Sequence, residues 1–186
     1  MNGIFVACKA EVHNRGAAPD SFLDELVQWG QLASDDIFVP NARHDIYAVT
    51  AERLGPWTTP LRRKAAMLEV LRVLGGFESS WNWLEGRDEN NEKSNTPCTE
   101  EAGIFQCSGD SMGKDPSLKA LVLKVAGATD CDTFRSVTKA NHAFAIEYCA
   151  RLLRVTTAHH GPIRDNDIQH WLRRNAMEEF EGFLGA

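Results

Sequence analysis

The residue types able to do chemistry fall in two stretches of this 186-residue chain. Glu78 follows Leu71, Leu74 and Phe77 in register, at the C-terminal end of the strongest helical pattern. A carboxyl group there is partly withdrawn from water and sits in the negative potential of a helix end. Both effects disfavour ionisation, which is what a general acid needs. Phe77, Trp81 and Trp83 flank it, and indole faces stack on sugar rings while the N–H donates. The consecutive Gly75 and Gly76 are costly in a helix and signal close approach of a ligand or neighbouring segment. The second stretch, 86–114, is rich in Gly and Asn and carries the carboxylates Asp88, Glu100, Glu101 and Asp110. One of these could face Glu78 as nucleophile, as base for water, or as stabiliser of an oxocarbenium ion.

Other chemistries compete for the same residues. Gly109-Asp110-Ser111-Met112-Gly113 matches the G-x-S-x-G elbow, but no strand of adequate length precedes it and no βα alternation surrounds it. Cys98 or Cys107 with His142, His159 or His160 would suit a cysteine-dependent amidase. Asp88, Asn90 and Glu92 begin like a calcium loop that fails at Lys93 and Thr99. His159, His160, Asp165, Asp167 and His170 contain metal-ligand types, yet adjacent histidines point apart on most backbones, and a loop with a helix cap explains them. The five cysteines include no CxxC pair. They read either as buried free thiols or as Cys98–Cys107 and Cys131–Cys149 bridges with Cys8 left over.

The elements that must position these groups are mostly helices. Apolar residues recur at helical spacing through Phe22, Leu26, Trp29 and Ala33, and again through Ile46, Val49, Thr50 and Leu54 before Gly55-Pro56. Thr59 and Pro60 open the strongest helix, with Leu61, Ala65, Leu68, Leu71 and Leu74 along one stripe. Asp115-Pro116 starts a helix through Leu118, Leu121, Val122 and Val125. A longer one runs through Ala140, Phe144, Tyr148, Leu152 and Val155. Asp165 is expected to cap a last helix through Ile168, Leu172, Ala176, Phe180 and Phe183. Between them, 86–114 reads as a polar loop with a small β-hairpin around Ile104-Phe105; irregular segments of that length are usually functional or disordered, and its hydrophobic anchors favour an ordered, functional one. The prediction is a mostly α, single domain over 1–186 with one hairpin insertion flanking a cleft. At 43% hydrophobic and 25% charged residues, with a net charge of −6, the chain can bury a core and is a poor match for nucleic-acid binding. No apolar run approaches the roughly 20 residues that span a bilayer, and no signal peptide opens the sequence.

Gly76-Phe77-Glu78-Ser79-Ser80-Trp81, followed after a polar loop by Glu101-Ala102-Gly103-Ile104-Phe105-Gln106-Cys107-Ser108, resembles the lysozyme-like peptidoglycan hydrolases. The two stretches cover about 30 residues, a helix ending in Glu-Ser-x-aromatic and a Gly-apolar-apolar-Gln segment. The resemblance implies a lysozyme-like fold that cleaves the MurNAc–GlcNAc backbone, with Glu78 as general acid and no cofactor or metal. It implies that Ser79, Trp81, Gly103 and Gln106 shape the sugar site and that Tyr148 points into the cleft. Glu101, in the acidic run before the second motif, is the expected assisting carboxylate; muramidase, N-acetylglucosaminidase and lytic transglycosylase chemistries all remain open. Size, cysteine content and the missing signal look most like type VI secretion effectors. Such toxins act in the periplasm of a target bacterium and are neutralised by an immunity protein that occludes the active site. A cysteine-dependent amidase and a non-catalytic cell-wall-binding module are the alternative functions.

Overall fold

Thr59 accepts a hydrogen bond from the Arg62 N–H and Pro60 occupies the first turn, so α3 (Pro60–Ser79) begins where its sequence predicts. The computed structural model, which describes residues 4–87, 89, 92 and 94–186, is mostly helical and is built around this helix. Every residue from Ala65 to Gly76 is buried, so α3 is sheathed on all sides rather than along one stripe, and Leu61 lies at the surface. It packs against α1 (Asp20–Leu32), α6 (His142–Val155) and, most extensively, α8 (Arg174–Gly185).

Complete burial puts two charged residues in the core. The Glu69 and Arg72 side chains have no exposure and form a bidentate pair, Nε to Oε2 at 2.7 Å and Nη2 to Oε1 at 2.8 Å. Burial alone would make Arg72 easier to deprotonate; the Glu69 charge and hydrogen bonds more than offset this and raise its pKa. Arg72 also donates to the Ala10 carbonyl, and Glu69 accepts from the Arg173 N–H, so the pair joins three distant segments.

Side-chain caps set the other starts. Asp45, Asp115, Asp130 and Asn141 accept from the first-turn N–H groups of α2 (Ile46–Leu54), α4 (Pro116–Ala126), α5 (Cys131–Ala140) and α6. Two expectations need correction. The long helix through Ala140 is two helices, because Asn141 leaves the helical region and caps α6. The last helix is also broken. Asn166 adopts a left-handed φ of 65°, separating α7 (Gly161–Arg164) from α8, and Asp165 pairs with Arg164 instead of capping.

The polar segment contains the expected hairpin, reduced to β1 (Glu101–Ala102) and β2 (Cys107–Ser108), antiparallel with Glu101 opposite Ser108 and Ala102 opposite Cys107. Its turn uses positive φ at Gly103 and Gln106. Cys98, just before it, forms a disulfide with Cys131 at the start of α5, while Cys8, Cys107 and Cys149 are buried free thiols. The buried-thiol reading thus holds for Cys8, Cys107 and Cys149, while the one bridge joins Cys98 to Cys131 and neither alternative pairing forms. Asp88, Asn90 and Lys93 of the calcium-loop reading lie outside the described residues. Among the described residues, no helix is long and apolar enough to cross a membrane.

The N-terminal segment is held by one carboxylate on α8. Glu179 accepts from the Val6 N–H at 2.8 Å and the Cys8 N–H at 2.7 Å. Burial opposes its ionisation, but these hydrogen bonds outweigh burial and put its pKa below the ordinary 4.5. A lowered carboxylate pKa contributes stability that is full above 4.5 and lost as pH falls through the lowered value. Amide hydrogen exchange at Val6 and Cys8 is therefore expected to lose protection on acidification before the α3 amides do. Glu179→Gln should show the loss already at neutral pH.

Candidate functional site

Glu78 occupies the last turn of α3, and the chain immediately after it folds back on the helix. Ser80 and Trp81 both take left-handed backbone conformations, with φ of 55° and 61°. This swings the Trp81 indole across Gly75 and Gly76, where its Nε1 donates to the Arg72 carbonyl at 2.9 Å. A Cβ at Gly76 would stand 2.7 Å from the indole, and one at Gly75 3.1 Å, so the two glycines make room for Trp81. The close approach read from the sequence is therefore to a neighbouring side chain. Trp81 itself is buried, with its indole N–H committed to the backbone, and offers no open face for sugar stacking.

Ser79 ties this helix end to the hairpin turn. Its Oγ donates to the Ile104 carbonyl at 2.8 Å and accepts from the Asn82 N–H at 3.0 Å. Gly103 packs on Thr138 so closely that a Cβ would lie 3.1 Å from its methyl group, and Gln106 Nε2 donates back to the Gly103 carbonyl. Ser79, Gly103 and Gln106 thus do meet near the end of α3, as parts that hold the turn against it. Tyr148 is fully buried and its hydroxyl contacts Ser111 Oγ at 2.7 Å, so it does not point into an open cleft. Ser111, the serine of the G-x-S-x-G match, is equally buried and donates to the Ser108 carbonyl.

Glu101 sits elsewhere. With Arg87, Glu100, Asp132, Arg135 and Lys139 it lines a groove of about 550 Å³ whose walls do not include Glu78. Glu100 pairs with Arg135 and Arg87, and Asp110 accepts from Ser108. Trp83 is half-buried and stacks face to face on His142 at 3.8 Å; His142 in turn contacts Glu25. A cavity of about 680 Å³ beside α1 and α6 is lined by Glu25, Trp29, Phe144 and Arg151, again without Glu78.

What the structure does bring to Glu78 is a buried group of two thiols and an imidazole. His160, from the N-terminal edge of α7, places Nδ1 3.2 Å from Glu78 Oε1, within ion-pair distance but without hydrogen-bond alignment. Its Nε2 lies 3.9 Å from Cys149 Sγ on α6, and Cys107 Sγ on β2 completes a set whose atoms are all within 4.8 Å of one another. Burial alone would favour neutral His160; contacts with Cys107 and Glu78 outweigh it and lift the imidazole to about 10. The Cys107 thiol is pushed well down by a hydrogen bond from Cys149, against burial, with His159 and His160 adding to the effect. Burial and the neighbouring Cys107 push Cys149 up. The thiols and the Glu78 carboxyl thus flank the His160 ring from opposite sides, the thiols by Nε2 and the carboxyl by Nδ1. The Glu78 side chain is 17% exposed against 2% for His160, so Glu78 is the member that meets solvent.

The amidase reading had named Cys107 and His160 as candidates, but Cys149 and their convergence on Glu78 were not expected. The four residues come from four separate elements, and no sequence spacing relates them. No family model matches this chain, and no match is found among the curated proteins or the solved structures.

Proposed function

We propose that this chain is a lysozyme-like peptidoglycan glycoside hydrolase that cuts the MurNAc–GlcNAc backbone, with Glu78 as the general acid. The observation that carries this reading is the placement of Glu78. The Glu78 side chain is partly exposed at the end of a helix buried from Ala65 to Gly76, beside Ser79, which ties the helix end to the hairpin turn, and with His160 Nδ1 3.2 Å behind it. A carboxyl that reaches solvent from a fixed helix end is suited to protonate a glycosidic oxygen as the bond breaks. His13, Phe77 and Trp171 form a group of partly exposed rings, the Phe77 and Trp171 centroids 5.5 and 5.7 Å from that of His13, and Phe77 directly precedes Glu78 in the chain. They take the sugar-stacking role for which the buried Trp81 is unsuited.

The same placement supports a second reading, in which Cys107 is a nucleophile, His160 its base and Glu78 the group that orients His160. It requires substrate to reach a thiol that is 2% exposed, and so stands second. A non-catalytic wall-binding module is the third. Mass spectrometry of fragments released from purified peptidoglycan separates them. Glycan cleavage yields new reducing or anhydro sugar ends. An amidase yields new amino termini and is abolished by Cys107→Ala. A binding module yields no product at any concentration. Because Glu101 lines a separate groove, Glu101→Gln is expected to retain most of the cleavage; a loss as deep as that of Glu78→Gln would instead make Glu101 the second carboxylate.

The disulfide fits action in an oxidising compartment such as the periplasm of a target bacterium. In this proposal the chain is an antibacterial effector of type VI secretion, and an immunity protein covers the Glu78 surface in the cell that makes it.

A further inference from the structure

We propose that Cys107, Cys149 and His160 form a binding site for one thiophilic divalent metal ion, with zinc as the best match. The Sγ atoms of the two cysteines and Nε2 of the histidine lie within 4.8 Å of one another, with Cys149 Sγ and His160 Nε2 3.9 Å apart. Tetrahedral zinc, with bonds of about 2.3 Å to sulfur and about 2.0 Å to nitrogen, spaces such atoms about 3.3–3.8 Å apart. The set needs to contract by only about 1 Å to close on an ion. Two sulfurs and an imidazole select zinc, or copper(I), over the hard cations that prefer oxygen.

Two further observations point the same way. The unused ring nitrogen of His160 faces Glu78 Oε1 at 3.2 Å, and this carboxylate oxygen is otherwise buried without a hydrogen bond. A metal-binding histidine characteristically donates its second N–H to a carboxylate, which fixes the ring and its tautomer. With a metal on Nε2, the Nδ1–H donates to Glu78 and satisfies the orphaned oxygen. His159 is the adjacent residue, and its ring centroid stands 4.7 Å from that of His160, which puts a second imidazole beside the group. Binding displaces to solvent the protons these ligand atoms carry, with no change of oxidation state. The three ligands come from β2, α6 and the edge of α7, so an ion would join the hairpin to the helices beneath it.

The site goes beyond the glycosidase reading and shares Glu78 and His160 with it. Chelator-treated protein with its Cys98–Cys131 disulfide intact is titrated with cobalt(II) under anaerobic conditions. The expected result is saturation at one equivalent, with a thiolate-to-cobalt charge-transfer band and the visible bands of tetrahedral geometry, both erased by one equivalent of zinc. Cys107→Ser and Cys149→Ser should each lose these bands, whereas Cys8→Ser should retain them. Glu78→Gln should keep them but bind about 10–100-fold more weakly. Wild-type protein that shows no charge-transfer band, or a Cys107→Ser/Cys149→Ser double variant that still shows it, overturns the proposal. Variant folding is checked by circular dichroism, and the wild-type titration decides the matter without any variant. Glycan cleavage assayed on the chelated protein keeps the two readings apart: cleavage without cobalt binding removes the metal site alone, and cobalt binding without cleavage removes the glycosidase alone.

Discussion

Glu78→Gln is expected to reduce release of glycan fragments from peptidoglycan by about 10²–10⁴-fold, the usual contribution of a positioned general acid. Glutamine preserves the size and planar shape of the side chain but has no proton to give. The fold should survive, because the backbone around Glu78 is held by other groups: Ser79 on Ile104, Trp81 on the Arg72 carbonyl, and the N–H groups of Ser80 and Trp81 on Gly76 and Gly75. Unchanged thermal unfolding together with the activity loss is the expected pair of results. Undiminished cleavage by folded Glu78→Gln would remove the acid assignment, and cleavage lost only in Cys107→Ala would hand the site to the thiol.

The second large effect concerns the core. Glu69→Gln is expected to lower unfolding stability by about 3–5 kcal/mol, because it strands the Arg72 guanidinium in a site with no water access. For a domain of this size each kcal/mol corresponds to about 2–4 °C in Tm, so calorimetry should show a fall of at least several degrees. The paired substitution Glu69→Met with Arg72→Leu is expected to cost much less than Glu69→Gln, since two apolar chains of similar volume leave no charge behind. Equal losses in the single and double variants would mean that the hydrogen bonds to Ala10 and Arg173, not the unpaired charge, set the cost.

Much of the scaffold was legible in the sequence because short-range rules govern it. Thr59-Pro60 and Asp115-Pro116 are local start signals, and both helices begin there. Gly75-Gly76 correctly announced a close approach, though of Trp81 and Val12 and not of a ligand. What escaped depends on where the chain goes next. Trp81 resembles a sugar platform until left-handed turns at Ser80 and Trp81 send the indole inward. Tyr148 lies in register with Phe144 and Leu152 on one helix face, and only the packing of Phe134 and Ser111 against it reveals that this face is buried. Glu69 and Arg72 stand three residues apart in a run with no sequence mark of their burial, and the sheathing of α3 by α8 and the N-terminal segment places them in the core. The thiol–imidazole group depends on contacts between residues as far apart as Glu78 and His160, beyond any local pattern.

The Cys98–Cys131 bridge makes the redox state of the surroundings a variable of the fold. It closes a loop with a sequence separation of 33 that contains the whole hairpin. Closing a loop of that length restricts the unfolded chain by about 3–4 kcal/mol. Under reducing conditions the chain lacks that contribution, and it gains it where the surroundings oxidise thiols. The same molecule is thus easier to unfold in a reducing solution than in an oxidising one, and the hairpin is the part whose freedom the cross-link removes.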